Sequence, residues 1–227
     1  MVRARHLAVV ASAVLLLSVG GSGAHAATRP ASTGRRAVTP IGVPRGVVPF
    51  RGSFRVSATW GAATGATHAT PAIDFVMPIG TPVYAARSGF VDFTSNDPRN
   101  CNPSSHIPTG GTYAQGIQWC VDHGLSGTRI RIHHDDGTYT MYVHLSAIRA
   151  GITASPSTRV KTGQLIGWSG NSGISTGPHL HFSRINSSGT ATIDPGILRA
   201  CWNASVHRYT DLKLLQGTTV RNDGFLC

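Results

Sequence analysis

The sequence predicts an all-β domain built on a largely antiparallel sheet. Three observations lead there. Short stretches rich in β-branched and aromatic residues recur from residue 72 onward, and Gly, Pro, Asn or Ser separates most of them. Beyond the first 26 residues, no segment sustains a 3.6-residue apolar period for three turns. The 227-residue chain contains no glutamate, a common helix former, so all nine acidic residues are aspartates.

The expected strands follow in order: AIDFVM (72–77), PVYAA (82–86), GFVDF (89–93), TRIRIHH (128–134), YTMYVHL (139–145), QLIGWSG (164–170) and HLHFSRI (179–185). Asp135-Asp136-Gly137 supplies a hairpin turn between the fourth and fifth. Residues 95–127, rich in Gly, Ser, Asn and Pro, form one long insertion, and long loops in compact domains usually serve function. Cys101 and Cys120 both lie in it, which suggests an ordered wall beside a cleft.

Residues 1–26 read as a secretory signal peptide: Arg3 and Arg5 lead an apolar run from Leu7 to Val19, and Ala24-His25-Ala26 fits a cleavage site. The run is short for a bilayer span, so no membrane segment is expected after cleavage. Residues 27–48 read as a linker or short pro-segment, 49–200 as the folded domain and 201–227 as a C-terminal extension. An exported protein, extracellular or associated with the cell wall, is the expected product, and a monomer.

The four cysteines, Cys101, Cys120, Cys201 and Cys227, suit disulfides in an exported chain. Of three pairings, neighbour pairing (Cys101–Cys120 and Cys201–Cys227) closes only one loop and one tail. No C-x-x-C spacing supports a cysteine metal site. The formal net charge is +11, and removing Arg3 and Arg5 leaves +9. Such a surface favours polyanions. Without a nucleic-acid motif or a basic run interleaved with aromatics, anionic wall polymers are the expected partners, the alternative being that the charge serves solubility alone.

The chemistry concentrates in histidines. His179 and His181 are two apart on an expected strand, so both rings project from one face while Leu180 and Phe182 enter the core. His144 lies near the end of another strand. Asp74, between Ile73 and Phe75, is a carboxylate in an apolar strand and needs a partner, because an unpaired buried charge is costly. His and Asp donors suit Zn²⁺, and three protein ligands leave a fourth position for water. The helix-borne H-E-x-x-H arrangement is excluded by the absence of Glu.

The stretches AIDFVMPIGTPVYAARSGFV, HHDDGTYTMYVHLS, VKTGQLIGWSGNSGISTGPHLHF and Asp194-Pro195 together resemble the M23 peptidases. This is the lysostaphin/LytM family of zinc endopeptidases that cut peptidoglycan. The resemblance spans roughly residues 68–195 and implies that family's antiparallel fold with an open groove. Carried over position by position, it implies zinc ligands at Asp74 and His181 and catalytic, non-ligand histidines at His144 and His179. The family usually reads H-x-x-x-D, but Thr70 stands four before Asp74 here and His68 stands six before. His68 is taken as the third ligand through a two-residue bulge, with His106 or His123 as the fallback. His134 matches a position before the turn expected to be structural or to line the cleft. The implied function is a secreted zinc endopeptidase acting on cell-wall peptide cross-links. The alternatives are a non-catalytic module that binds the wall or regulates other hydrolases, and a basic secreted protein whose histidines are incidental.

Overall fold

The computed structural model describes residues 46–58, 72–190, 192–193, 198–203, 208–212 and 217–224, all within the compact unit Pro40–Cys227. Residues 1–45, His68, Asp194, Pro195 and Cys227 lie outside the described residues. The strands are β1 (Gly52–Ala58), β2 (Ile73–Val76), β3 (Pro82–Tyr84), β4 (Gly89–Ser95) and β5 (Asn100–Cys101). Helix α1 (Tyr113–Asp122) follows, then β6 (Thr128–His133), β7 (Tyr139–Ile148), β8 (Ser155–Val160), β9 (Leu165–Ser169), β10 (Gly173–Ile174) and β11 (His179–Ile185). The chain continues through β12 (Thr192–Ile193), β13 (Leu198–Asn203), β14 (Arg208–Leu212) and β15 (Thr219–Asn222). Each of the seven expected strand segments contains an observed strand.

The main sheet runs β15-β1-β2-β11-β7-β6-β4-β8, with β9 joining β7 to β3 and β12 added to β11. Every pairing along this path is antiparallel. The strand period of two then sorts the side chains. Ile73 and Phe75, Leu180 and Phe182, Tyr142, Ile130 and Ile132 go to one face and are almost wholly buried. Phe50 meets Phe75 edge-on at 4.9 Å. Each such side chain contributes roughly 1.5–3 kcal/mol by leaving water. Asp74, His179 and His181 fall on the other face by the same alternation. Val48, at the end of the stretch read as a linker, is fully buried in this core. β15, from the expected C-terminal extension, pairs with β1 at the sheet edge.

The 95–127 insertion departs from the expected loop, because it carries α1 on its far arm. Ten residues are too few to sustain three turns of apolar period. The start was nevertheless written locally: Gln115 Oε1 accepts the Thr112 N–H at 2.7 Å, half of a capping box. Cys101 and Cys120 form the expected disulfide, tying α1 to β5. β5 in turn pairs in parallel with β10, and the Asn100 side chain donates to the carbonyls of Asn171 and Ser175 at 2.6 and 3.1 Å. The insertion is therefore fastened to the loop that precedes β11. Cys201 is also disulfide-bonded, and its expected partner Cys227 lies outside the described residues.

The Asp135–Gly137 hairpin forms as expected, with Gly137 at φ 80° and its N–H bonded to His134 O at 2.9 Å. His134 is buried beneath it. Its Nδ1–H donates to Ser88 O at 2.9 Å, and Nε2 is hydrogen-bonded with Thr140 Oγ1 at 3.0 Å. Burial, aided by the nearby Arg87 and Arg184 charges, pushes its pKa from 6.5 down to about 4 despite the Ser88 bond and Asp136. The unfolded chain thus binds a proton that the folded chain refuses. The neutral ring's stability is fully present above pH 6.5 and is lost as pH falls towards 4, up to roughly 3 kcal/mol. His134→Gln is expected to flatten the fall in unfolding free energy between pH 6.5 and 4, measured by urea denaturation. An unchanged slope contradicts the assignment.

Candidate active site

Three adjacent strands build the site. In the β2–β11 ladder His181 lies directly opposite Asp74, and in the β11–β7 ladder it lies opposite Val143. This register brings His181 Nδ1 to 3.1 Å from Asp74 Oδ1, and His179 Nε2 to 3.6 Å from Asp74 Oδ2. The His144 ring centroid is 4.5 Å from that of His179 and 5.7 Å from that of His181. Asp74 and His144 are each 8% exposed. Strand alternation therefore delivers Asp74, His179 and His181 together, as the sequence led one to expect.

His144 arrives by a different route. Tyr142 faces the core, so simple alternation would send His144 there too. Instead β6 and β7 slip out of register between Thr128↔Leu145 and Ile130↔Tyr142. Two residues of β7, Val143 and His144, span one of β6, which is a β-bulge. His144 takes φ 63°, the sole non-glycine in the left-handed region among the described residues. The bulge turns its ring onto the groove face and returns Leu145 to the core. Backbone strain of this kind costs on the order of 1–3 kcal/mol and persists where surrounding contacts impose it.

Ser172 imposes it. Its Oγ accepts the Thr128 N–H at 2.9 Å and donates to Leu145 O at 2.7 Å, bridging β6 and β7 across the bulge. Its carbonyl accepts from His144 Nδ1 at 2.7 Å. Gly173 makes the approach possible: at φ 71°, a Cβ built there would sit 2.8 Å from Gly127 Cα. Four residues on, Gly177 O accepts from His179 Nδ1 at 2.8 Å. A carbonyl can only accept, so both rings carry a proton on Nδ1, and the Nε2 of each is turned away from these carbonyls. Burial, with His179 and His181 close by, pushes the His144 pKa down to about 3. That ring is therefore neutral at pH 7, with its Nε2 unprotonated.

Ligand atoms of His144, His179 and His181 all lie within 4.8 Å of one another, beside the Asp74 carboxylate. Imidazole nitrogen and carboxylate oxygen are a donor set that zinc accepts, so the residues present fit the metal that the sequence implied. The third expected ligand, His68, lies outside the described residues. The fallback residues His106 and His123 stack on opposite faces of Trp119, at 3.6 and 3.7 Å, instead. Around the cluster opens a groove of about 580 Å³. Its floor is β6, β7 and β11, and one wall is α1, whose Tyr113, Ile117 and Val121 line it at helical spacing.

Residues 68–195 match the sequence profile of peptidase family M23. The chain belongs to peptidase family M23. Among curated M23 relatives, the peptidoglycan DD-endopeptidase ShyA of Vibrio cholerae is 38% identical over 112 residues, 49% of this chain and 19% of the relative. Lysostaphin of Staphylococcus simulans is 34% identical over 122 residues, 53% of this chain and 19% of the relative. This M23 chain therefore aligns with about a fifth of the length of each. Solved structures are similar too. The antimicrobial peptidase lysostaphin from Staphylococcus simulans has TM-score 0.43 at 30% identity, covering 63% of this chain and 47% of that one. The catalytic domain of the prophage-encoded M23 protein EnpA from Enterococcus faecalis has TM-score 0.44 at 26% identity, covering 63% and 88%.

The left-handed backbone at His144 reverses the usual strand preference. There, His144→Val is expected to be less stable than His144→Gly by about 1–2 kcal/mol, since a left-handed β-branched residue is strained and glycine is not. Paired urea denaturation of the two variants measures the difference. Val equal to or more stable than Gly would refute the bulge.

Proposed function

We propose that this protein is an exported zinc endopeptidase that hydrolyses peptide cross-links of bacterial cell-wall peptidoglycan. The observation carrying this reading is the convergence of Asp74 with His144, His179 and His181 in a groove of an M23 domain. In this reading Asp74 and His181 hold the metal, with His68 as the third ligand. When bound there, zinc would acidify a water and polarise the amide carbonyl. His144, neutral and fixed by Ser172, would present its Nε2 as a proton acceptor. His179, fixed by Gly177, presents its own Nε2 to carry a proton beside the oxygen on which charge develops. Both rings are locked at Nδ1, so neither must reorient during turnover.

The relatives named as peptidoglycan endopeptidases support the substrate class, and the formal charge of +9 left after Arg3 and Arg5 are removed supports attraction to anionic wall polymers. Export rests on the signal-like residues 1–26. The alternative of a non-catalytic wall-binding module is disfavoured because all four groups remain together.

Metal and catalytic roles are expected to separate by mutation. Asp74→Ala and His181→Ala lose zinc and cross-link hydrolysis together. His144→Ala and His179→Ala keep near-stoichiometric zinc but lose at least about a hundredfold in kcat, the scale of a general acid–base group. Zinc content by elemental analysis, with amino-group release from purified walls, checks all four. A zinc-free His179→Ala protein overturns the assignment. Zinc-loaded wild type that binds walls but releases no amino groups overturns the peptidase reading.

A further inference from the structure

Strand β6 presents Arg129, Arg131 and His133 to the groove face at the strand period, while Ile130 and Ile132 enter the core. Arg131 is satisfied: its Nε and Nη2 reach the Asp92 carboxylate at 3.0 and 2.8 Å, and it lies over Tyr139 at 5.0 Å. His133 stacks on Tyr139 at 4.4 Å. Arg129 is not satisfied in this way. Its Nε is buried without a hydrogen-bond partner, and no carboxylate among the described residues forms an ion pair with it. The one acidic group on the neighbouring strand, Asp92, is committed in fork geometry to Arg131. Arg129 keeps only the face of Phe93, 5.2 Å from its guanidinium carbon. Burial and the adjacent Arg131 charge both push its pKa down, and nothing pushes it up.

Holding a half-buried cation beside another cation with no counter-ion is unfavourable. The location supplies a reason. Arg129 is the β6 residue spanned by the Val143–His144 bulge, and it lines the same groove as Asp74, His144, His179 and His181. The rest of the groove lining is apolar or neutral: Tyr113, Ile117, Val121, Met141, Val143 and Ile174. A guanidinium on an apolar floor, braced by an aromatic ring, suits a planar anion that it can grip with two N–H groups.

We propose that Arg129 is a specificity-determining residue that binds a free carboxylate of the peptide substrate lying in the groove. The inference rests on the peptidase reading above. The carboxylate belongs either to a peptide C-terminus or to an acidic side chain within the cross-linked peptide. Arg129 does not touch the reacting bond, so it acts on substrate binding rather than on chemistry.

The test uses the mature zinc-loaded protein and three synthetic cross-link peptides: one with a free C-terminal and a free side-chain carboxylate, and its two mono-amides. Wild type is expected to show a KM at least about tenfold lower for the diacid than for one of the amides, the scale of a hydrogen bond to a charged group. The discriminating amide identifies which carboxylate is read. Arg129→Gln should erase that preference with kcat and zinc content held and the melting temperature not lowered, and Arg129→Lys should restore part of it. Where wild type cleaves none of the peptides, their dissociation constants replace KM. A preference removed by Arg129→Gln then sustains this inference while the peptidase reading fails. Equal affinity of wild type for all three peptides, or a preference that survives Arg129→Gln, overturns the inference. Arg129 would then be a stacking partner for Phe93 alone.

Discussion

Asp74 and His181 face each other across the β2–β11 ladder, with Oδ1 3.1 Å from Nδ1. A carboxylate this buried is stable only beside a cationic or hydrogen-bonding partner. Backbone register supplies the partner: a one-residue slip of either strand would send the aspartate or the histidine into the core. The core residues guard that register. Ile73 and Phe75 flank Asp74 as Leu180 and Phe182 flank His181, and these apolar residues are buried on the opposite face. Packing on one side of the sheet thus sets the donor geometry on the other.

Two further constraints complete the cluster, and both run through the segment before β11. Ser172 pins the β7 bulge with its hydroxyl and orients His144 with its carbonyl, while Gly177 O orients His179. At Nδ1 neither imidazole meets a side-chain carboxylate. Backbone carbonyls fix both tautomers, so the chemistry depends on the path of residues 171–178. The insertion braces that path through the β5–β10 pairing, the Asn100 side chain and the Cys101–Cys120 disulfide. A feature distant in sequence therefore serves both as a groove wall and as a support for the loop that orients His144 and His179.

The sequence disclosed whatever depends on a strand's period of two. The H-x-H pair, the buried Asp74 and the inward Leu180 and Phe182 all follow from alternation, and the hairpin follows from Asp-Asp-Gly. It did not disclose His144's orientation, because a bulge breaks the period and is set by tertiary contacts with Ser172. Helix α1 escaped because ten residues fall short of a sustained period, although Thr112-x-x-Gln115 marked its start. β8, of sequence SPSTRV, lacks an apolar pattern because it is a sheet edge, with only Val160 buried. Arg129 was invisible for another reason: one-dimensional sequence cannot tell which of two neighbouring arginines takes the single aspartate. His68, at the N-terminal edge of the motif, lies outside the described residues, so the third ligand rests on sequence alone.

The account turns on a division of labour among three histidine rings, and ring-nitrogen NMR of the ¹⁵N-labelled protein reads it directly. Spectra recorded before and after one equivalent of zinc report the state of each nitrogen. The account predicts that His144 and His179 keep their proton on Nδ1 throughout, held by the carbonyls of Ser172 and Gly177. It predicts that Nδ1 of His181 alone among the three takes the shift of a metal-bound nitrogen. A His181 Nδ1 untouched by zinc, or a His179 or His144 ring that loses its Nδ1 proton and becomes metal-bound, would contradict it.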